Sequence, residues 1–144
     1  MLDQNGKSQV VTMGSYGIGV SRAVAAIAEQ SYDEIGLSWP VEVAPAKVHV
    51  VATGKEDDIF ETAEKIGAAL ELRGISVMLD DRRGTSPGVK FKDAELIGIP
   101  VIVVVGKALE NGNVEVRVRK SGEKSEVALA GAVDAIAGLL PTLS

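Results

Sequence analysis

With 144 residues, no cysteine and one histidine, the chain has the size of one ordinary domain, or one domain plus a piece of another. It has no means of building disulfides, thiolate zinc centres or a histidine-rich metal site. Hydrophobic content of 46% supports a real core, and aromatic content of only 3% makes that core one of Val, Ile, Leu and Ala. A net charge of −5 argues against coating nucleic acid by neutralising many phosphates, and no apolar run approaches the roughly 18 residues of a membrane helix. With no signal-peptide layout and no cysteine, the chain reads as soluble and cytoplasmic, with no membrane partner.

Residues 1–15 predict a β-hairpin, because Asn5-Gly6 is a favoured two-residue turn and Val10 and Val11 fit a short strand over 8–13. Gly14, Gly17 and Gly19 follow, at spacings that let backbone approach a strand or a ligand. The alanine-rich run from Val20 to Gln30 predicts a helix. Residues 33–45 lack a clear period, contain Gly36, Pro40 and Pro45, and carry only acidic charges, so they mark the boundary between two parts. Trp39, in their middle, reads as a packing plug.

Beyond Pro45 the pattern becomes regular. Val48–Ala52 predicts a strand, and residues 56–73 an amphipathic helix with Ile59, Ala63, Ile66 and Leu70 on one face, stopped by Gly74. Strand 75–79, a short helix 87–97 and a β-branched strand 99–105 come next. Val114 to Arg119 alternates as a half-exposed strand towards an edge, residues 121–124 form a turn, and a helix over 129–140 buries Leu129, Val133, Ile136 and Leu140. The order from residue 46 is β-α-β-α-β-β-α. It predicts an α/β domain with a mixed, mostly parallel sheet of about four to five strands flanked by helices.

The loop and helix start over 80–92 break a local rule. Ser86 is placed to cap the helix and Pro87 to open it, yet Lys90 and Lys92 stand where the helix dipole favours acids, with Arg82 and Arg83 just before. Four cations at one helix N-terminus make a place for phosphate. The same residues also read as solvated charges balanced by Asp80, Asp81, Asp93 and Glu95. Other chemistry is scarce. Gly17 and Gly19 belong to no dinucleotide fingerprint or phosphate loop, and with His49 inside a strand there is no nucleophile–base pair. Asp80 and Asp81 point to opposite faces of a strand, and Glu56, Asp57 and Asp58 read as the acidic first turn of a helix. Residues 46–144 therefore read as a binding module.

Three separated stretches together resemble a known family. Met13-Gly-Ser-Tyr-Gly-Ile-Gly-Val-Ser-Arg22 comes first, followed by Asp33-Glu34, Gly36-Leu37, Trp39-Pro40 and Ala44-Pro45, and then by Asp80-Asp81-Arg82 with Pro87-Gly-Val-Lys-Phe-Lys-Asp-Ala-Glu-Leu-Ile-Gly-Ile-Pro100. In this order they look like the C-terminal part of a bacterial-type, class II prolyl-tRNA synthetase. The chain departs from that pattern at Ser15, where many members carry cysteine, and at Ser86, where many carry arginine.

The resemblance implies that residues 1–44 are a remnant of the catalytic domain with its third signature motif, plus a linker. Residues 46–144 would be the anticodon-binding domain. Gly17, Gly19 and Arg22 would then belong to an ATP site, with Arg22 the ATP contact, and Arg82, Arg83, Lys90, Lys92 and Glu95 would face the anticodon loop of proline tRNA, whose unstacked bases are read by hydrogen bonds and stacking. The implied parent is a proline–tRNA ligase, a homodimer using ATP with magnesium, and proline. The isolated chain would need no cofactor and would not aminoacylate, since one wall of an active site cannot orient three substrates. Without the rest of that domain, residues 1–30 would self-associate or pack differently from the parent. A rival reading is a stand-alone module of the same fold, acting as an RNA-binding or protein-interaction accessory. A small nucleotide-binding α/β protein is a third, against which the missing phosphate loop counts.

Overall fold

The computed structural model describes residues 1–143. The first helix, α1 (Val20–Gln30), is where the alanine-rich run puts it, but none of its residues is buried. The hairpin before it is reduced to its turn. Gly6 takes a positive φ of 72°, the Asp3 carboxylate accepts from the N–H groups of Asn5 and Lys7, and Leu2 bridges Ser8. Residues 9–19 form no strand. An isolated two-stranded ribbon is marginal in water, and here no third strand lies beside Val10, which is 97% exposed.

The domain proper is a five-stranded sheet with strand order β2-β1-β3-β4-β5. Its strands are β1 (Val48–Ala52), β2 (Val77–Asp80), β3 (Val101–Val105), β4 (Asn113–Val118) and β5 (Lys124–Ala128). β1 pairs in parallel with both β2 and β3, whereas β3–β4 and β4–β5 are antiparallel. The sheet is mixed, as expected, but its pairings are evenly split where a mostly parallel sheet was expected. The difference comes from β5, which the sequence reading missed. Lys-Ser-Glu-Val-Ala has no apolar alternation and lies almost wholly exposed, so only its pairing with β4 makes it a strand.

β1 and β3 are buried along their whole length because both faces are covered. On one face Val48, Val50, Val101, Val103, Val114 and Val116 pack against Ile59, Ala63, Ile66 and Leu70 of α2 (Asp57–Glu71) and Ile136 of α4 (Ala132–Leu139). On the other, Val51, Ile102 and Val104 meet Ala94 and Phe91 of α3 (Pro87–Ile97). β4 alternates as its sequence does, with Val114, Val116 and Val118 buried and Glu115 and Arg117 half-buried. Of the predicted helix over 129–140, only Ala132–Leu139 is α-helical, with 3-10 turns at Leu129–Gly131 before it and Leu140–Leu143 after it.

α3 keeps its predicted bounds, with Pro87 in the first turn, but Ser86 caps it by backbone alone. The Ser86 carbonyl accepts from the N–H groups of Val89 and Lys90, and its hydroxyl makes no capping bond. Two substitutions therefore separate. Leu70→Ala, at a fully buried site, is expected to cost about 2–5 kcal/mol in denaturant unfolding. Ser86→Ala is expected to stay within about 0.5 kcal/mol, below the ~1 kcal/mol of a working side-chain cap.

Candidate RNA-binding site

β1 and β2 run in parallel, so their C-terminal ends lie together, and α3 starts from the loop after β2. At this corner the four predicted cations go to different places. Lys90 is not on the surface. It is 1% exposed, and its ammonium donates to the carbonyl of Ala52 at 2.7 Å and lies 3.4 Å from both the carbonyl and a carboxylate oxygen of Asp80. The expectation that Lys90 contacts RNA directly is corrected on this point: its charge is spent on carbonyls inside the domain. This also resolves the broken rule, because a lysine in the first turn that turns inward does not face the helix N–H groups.

Arg82 is half-exposed and bridges two acids. Its guanidinium donates to both oxygens of Asp80 at 3.0 and 2.7 Å and to Asp93 at 2.8 Å. Burial pushes the Asp80 carboxyl up, but the side chain and backbone N–H of Arg82, with Lys90 nearby, outweigh it and hold the carboxyl at about 2. The bonds to Asp80 and Asp93 raise the Arg82 guanidinium above its ordinary value, so it stays charged. Arg83 turns away, pairs with Asp57 of α2 at 2.5 Å, and lies 4.3 Å from the centre of the Phe60 ring. Lys92 is exposed and, among the described residues, has no ion-pair partner. Glu95 is half-buried, and its backbone carbonyl accepts from Arg119.

Beside α3 lies a cleft of about 390 Å³ lined by His49, Met78, Asp80, Asp81, Arg82, Asp93, Leu96 and Ile97, with Leu79. It lies within the usual size range of small-ligand pockets, and combines apolar walls with a few fixed polar groups. Of the predicted cations, only Arg82 lines it. His49, which the sequence reading treated as a plain strand residue, also lines it. It is 3% exposed, and its Nδ1 is buried without a hydrogen-bond partner. No sequence signal marks that, since the cleft exists only once β2 and α3 flank β1.

The residues read as an ATP site are elsewhere. Gly17, Gly19 and Arg22 are exposed at the start of α1, and the Gly19 carbonyl accepts from the N–H of Ala23. Neither the α3 cleft nor the acidic crevice between Thr53 and Gly106 reaches them. These residues do not by themselves enclose a nucleotide, and no metal-binding group of His, Cys, Asp or Glu occurs among the described residues. Nor is any helix among them long and apolar enough to cross a membrane.

The domain described here falls in a known class. Residues 47–139 match the anticodon binding domain family, and the chain belongs to that family. Across nearly its whole length the chain is also similar to enzymes named proline–tRNA ligase. It is 56% identical over 140 residues to that of a Nocardioides species, covering 97% of this chain and 24% of the relative. It is 58% identical over 137 residues to that of Kineococcus radiotolerans, covering 95% and 23%, and 56% identical over 145 residues to that of Bifidobacterium longum, covering 100% and 24%. The chain thus spans about a quarter of the length of these curated relatives.

Two outcomes are expected at this corner. Lys90→Met should lower unfolding stability by about 3 kcal/mol, the scale for breaking one side of a buried pair. Burial lowers the His49 imidazole below its ordinary 6.5, so below that pH the unfolded chain takes up a proton that the folded chain refuses. Stability is then complete above about pH 7 and falls towards pH 5.5, with a slope of at most about 1.4 kcal/mol per pH unit for one proton. Because His49 is the only histidine, His49→Leu should flatten melting temperature between pH 7.5 and 5.5.

Proposed function

We propose that this chain supplies tRNA anticodon recognition within a proline–tRNA ligase. Residues 46–144 act as the anticodon-binding domain, and residues 1–44 belong to the catalytic domain and its linker. The parent attaches proline to its tRNA at the expense of ATP with magnesium, in the cytoplasm and as a homodimer. Gly17, Gly19 and Arg22 contribute to its ATP site only when the rest of that site is present, so this chain alone does not aminoacylate. The observation that carries the reading is the cleft beside α3, on a domain of the anticodon-binding family, with the Arg82 guanidinium locked at its edge by Asp80 and Asp93.

A cleft of this size accepts one unstacked base, and a fixed planar guanidinium offers hydrogen bonds to a base edge or a phosphate. Lys92 supplies an exposed cation for the loop backbone, and Arg83, which would first have to leave Asp57, and the half-buried Glu95 serve as secondary contacts. Lys90 acts indirectly, by holding Asp80 and through it Arg82. Since little net positive charge is available, discrimination rests on placed donors more than on phosphate attraction.

The test is titration of the chain with the anticodon stem-loop of proline tRNA, and with a loop carrying another anticodon, at two salt concentrations. Selective binding of the first is expected. Arg82→Ala should weaken it about tenfold, or ~1.4 kcal/mol. Lys92→Ala should weaken both loops and reduce the salt slope by about 0.7, as for one phosphate contact on a single strand. Equal affinity for the two loops, or binding untouched by Arg82→Ala, would sink the proposal.

A further inference from the structure

The four carbonyls at the end of α3, those of Glu95, Leu96, Ile97 and Gly98, have no partner within the helix, as at any helix C-terminus. Here all four are satisfied from outside it, by two distant pieces of chain. The N–H of Leu37 donates to Leu96 at 3.1 Å, and the backbone N–H of Trp39 to Gly98 at 3.0 Å. The Trp39 indole Nε1 donates to Ile97 at 3.0 Å, and the Arg119 guanidinium Nε to Glu95 at 3.1 Å. Arg119, 7% exposed, also grips both carboxylate oxygens of Asp33 at 2.7 and 2.8 Å. That same carboxylate closes the linker loop by accepting from the N–H groups of Ile35 and Gly36. The Arg119 hydrogen bonds hold the Asp33 carboxyl well below the usual range, so the pair stays ionised at neutral pH.

The fit leaves no slack. Gly98 adopts φ 76°, and a Cβ there would overlap the Leu37 carbonyl. A Cβ on Gly36 would lie 2.6 Å from the Leu96 Cα. α1, by contrast, has no buried residue and continues directly into this loop through Ser31, whose carbonyl accepts from the N–H of Ser38.

We infer that Asp33, Trp39 and Arg119 form a latch that fixes the direction of α1 relative to the anticodon-binding domain, with Arg119 as its positioning residue. α3 then links two functions along its C-terminal half, where Asp93 and Ile97 stand about 6 Å apart along the axis at 1.5 Å per residue. Its middle holds Asp93 against Arg82, and its C-terminal end receives the segment that leads to the catalytic part. This deepens the proposed function and rests on it for what α1 belongs to, but the latch itself requires no RNA.

The chain has no cysteine, so Ala26→Cys on α1 and Glu64→Cys on α2 can carry unique spin labels for a distance measurement. The unmodified latch should give a narrow distribution. In Arg119→Met, and independently in Gly36→Ala, which removes no hydrogen-bonding group, the distribution should widen to on the order of 10 Å, as for a freed linker of nine residues. The domain's melting transition should persist in Gly36→Ala, whereas a role confined to capping α3 would lower melting without changing the distribution. An unchanged distribution in both variants, or one already broad in the parent chain, would overturn the latch. Failure of stem-loop binding would count against the proposed function alone, because the distances are read without RNA.

Discussion

One buried ammonium organises the corner on which the site is built. Lys90 lies where β1 and β2 end and α3 begins, and it touches all three through the Ala52 carbonyl, the Asp80 carbonyl and the Asp80 carboxylate. Withdrawing a charge from water costs several kcal/mol unless hydrogen bonds and an opposite charge compensate it, and here both are present. The consequence reaches the surface in one step. Asp80, fixed by Lys90 from inside, fixes Arg82 on the outside, and Asp93 one turn along α3 completes the grip. A site held in this way has little orientation left to lose on binding.

The sequence exposed the elements better than it exposed the uses of their side chains. α2, β3 and β4 were legible because burial there follows a simple pattern: four apolar residues on one helix face, a β-branched run, a strict alternation. α3, which buries only Lys90 and Ala94, was legible instead from Ser86 and Pro87 at its start. β5 was not, since its residues carry no pattern and it exists by pairing with β4. The rule violation at the start of α3 drew attention to Lys90, which is buried. It could not distinguish a lysine turned outward to phosphate from one turned inward to carbonyls, because Ala52 lies 38 residues away. The Asp33–Arg119 pair, separated by 86 positions, was invisible for the same reason. Local propensity carries no information about which distant carboxylate a guanidinium will meet.

The N-terminal stretch shows the complementary limit. The alanine-rich run encodes α1 by propensity, and the helix forms with none of its residues buried. The strand predicted over residues 8–13 required a neighbour to donate and accept hydrogen bonds, and among the described residues only Met1 and Leu2 stand beside it, at Ser8 and Gln9. Helices satisfy their backbone internally, whereas strands depend on the rest of the fold. That difference explains why one prediction in this segment succeeded and the adjacent one failed.

The compensated charges also constrain how a ligand could be read. Of four clustered cations, one is internal, one is bound to α2 and one is shared between two carboxylates, which leaves Lys92 without an ion-pair partner among the described residues. Such a surface gives weak attraction at long range, in keeping with a chain of net charge −5. Under the proposed function, its selectivity would come from geometry at short range. On the proposed reading, a guanidinium held between two acids cannot reorient to satisfy a misplaced acceptor, so a wrong base would leave its own acceptor desolvated and unpaired, which costs more than the loss of one solvated contact. On that reading the acidic neighbours of Arg82 would serve discrimination by the same bonds with which they reduce its raw attraction for phosphate.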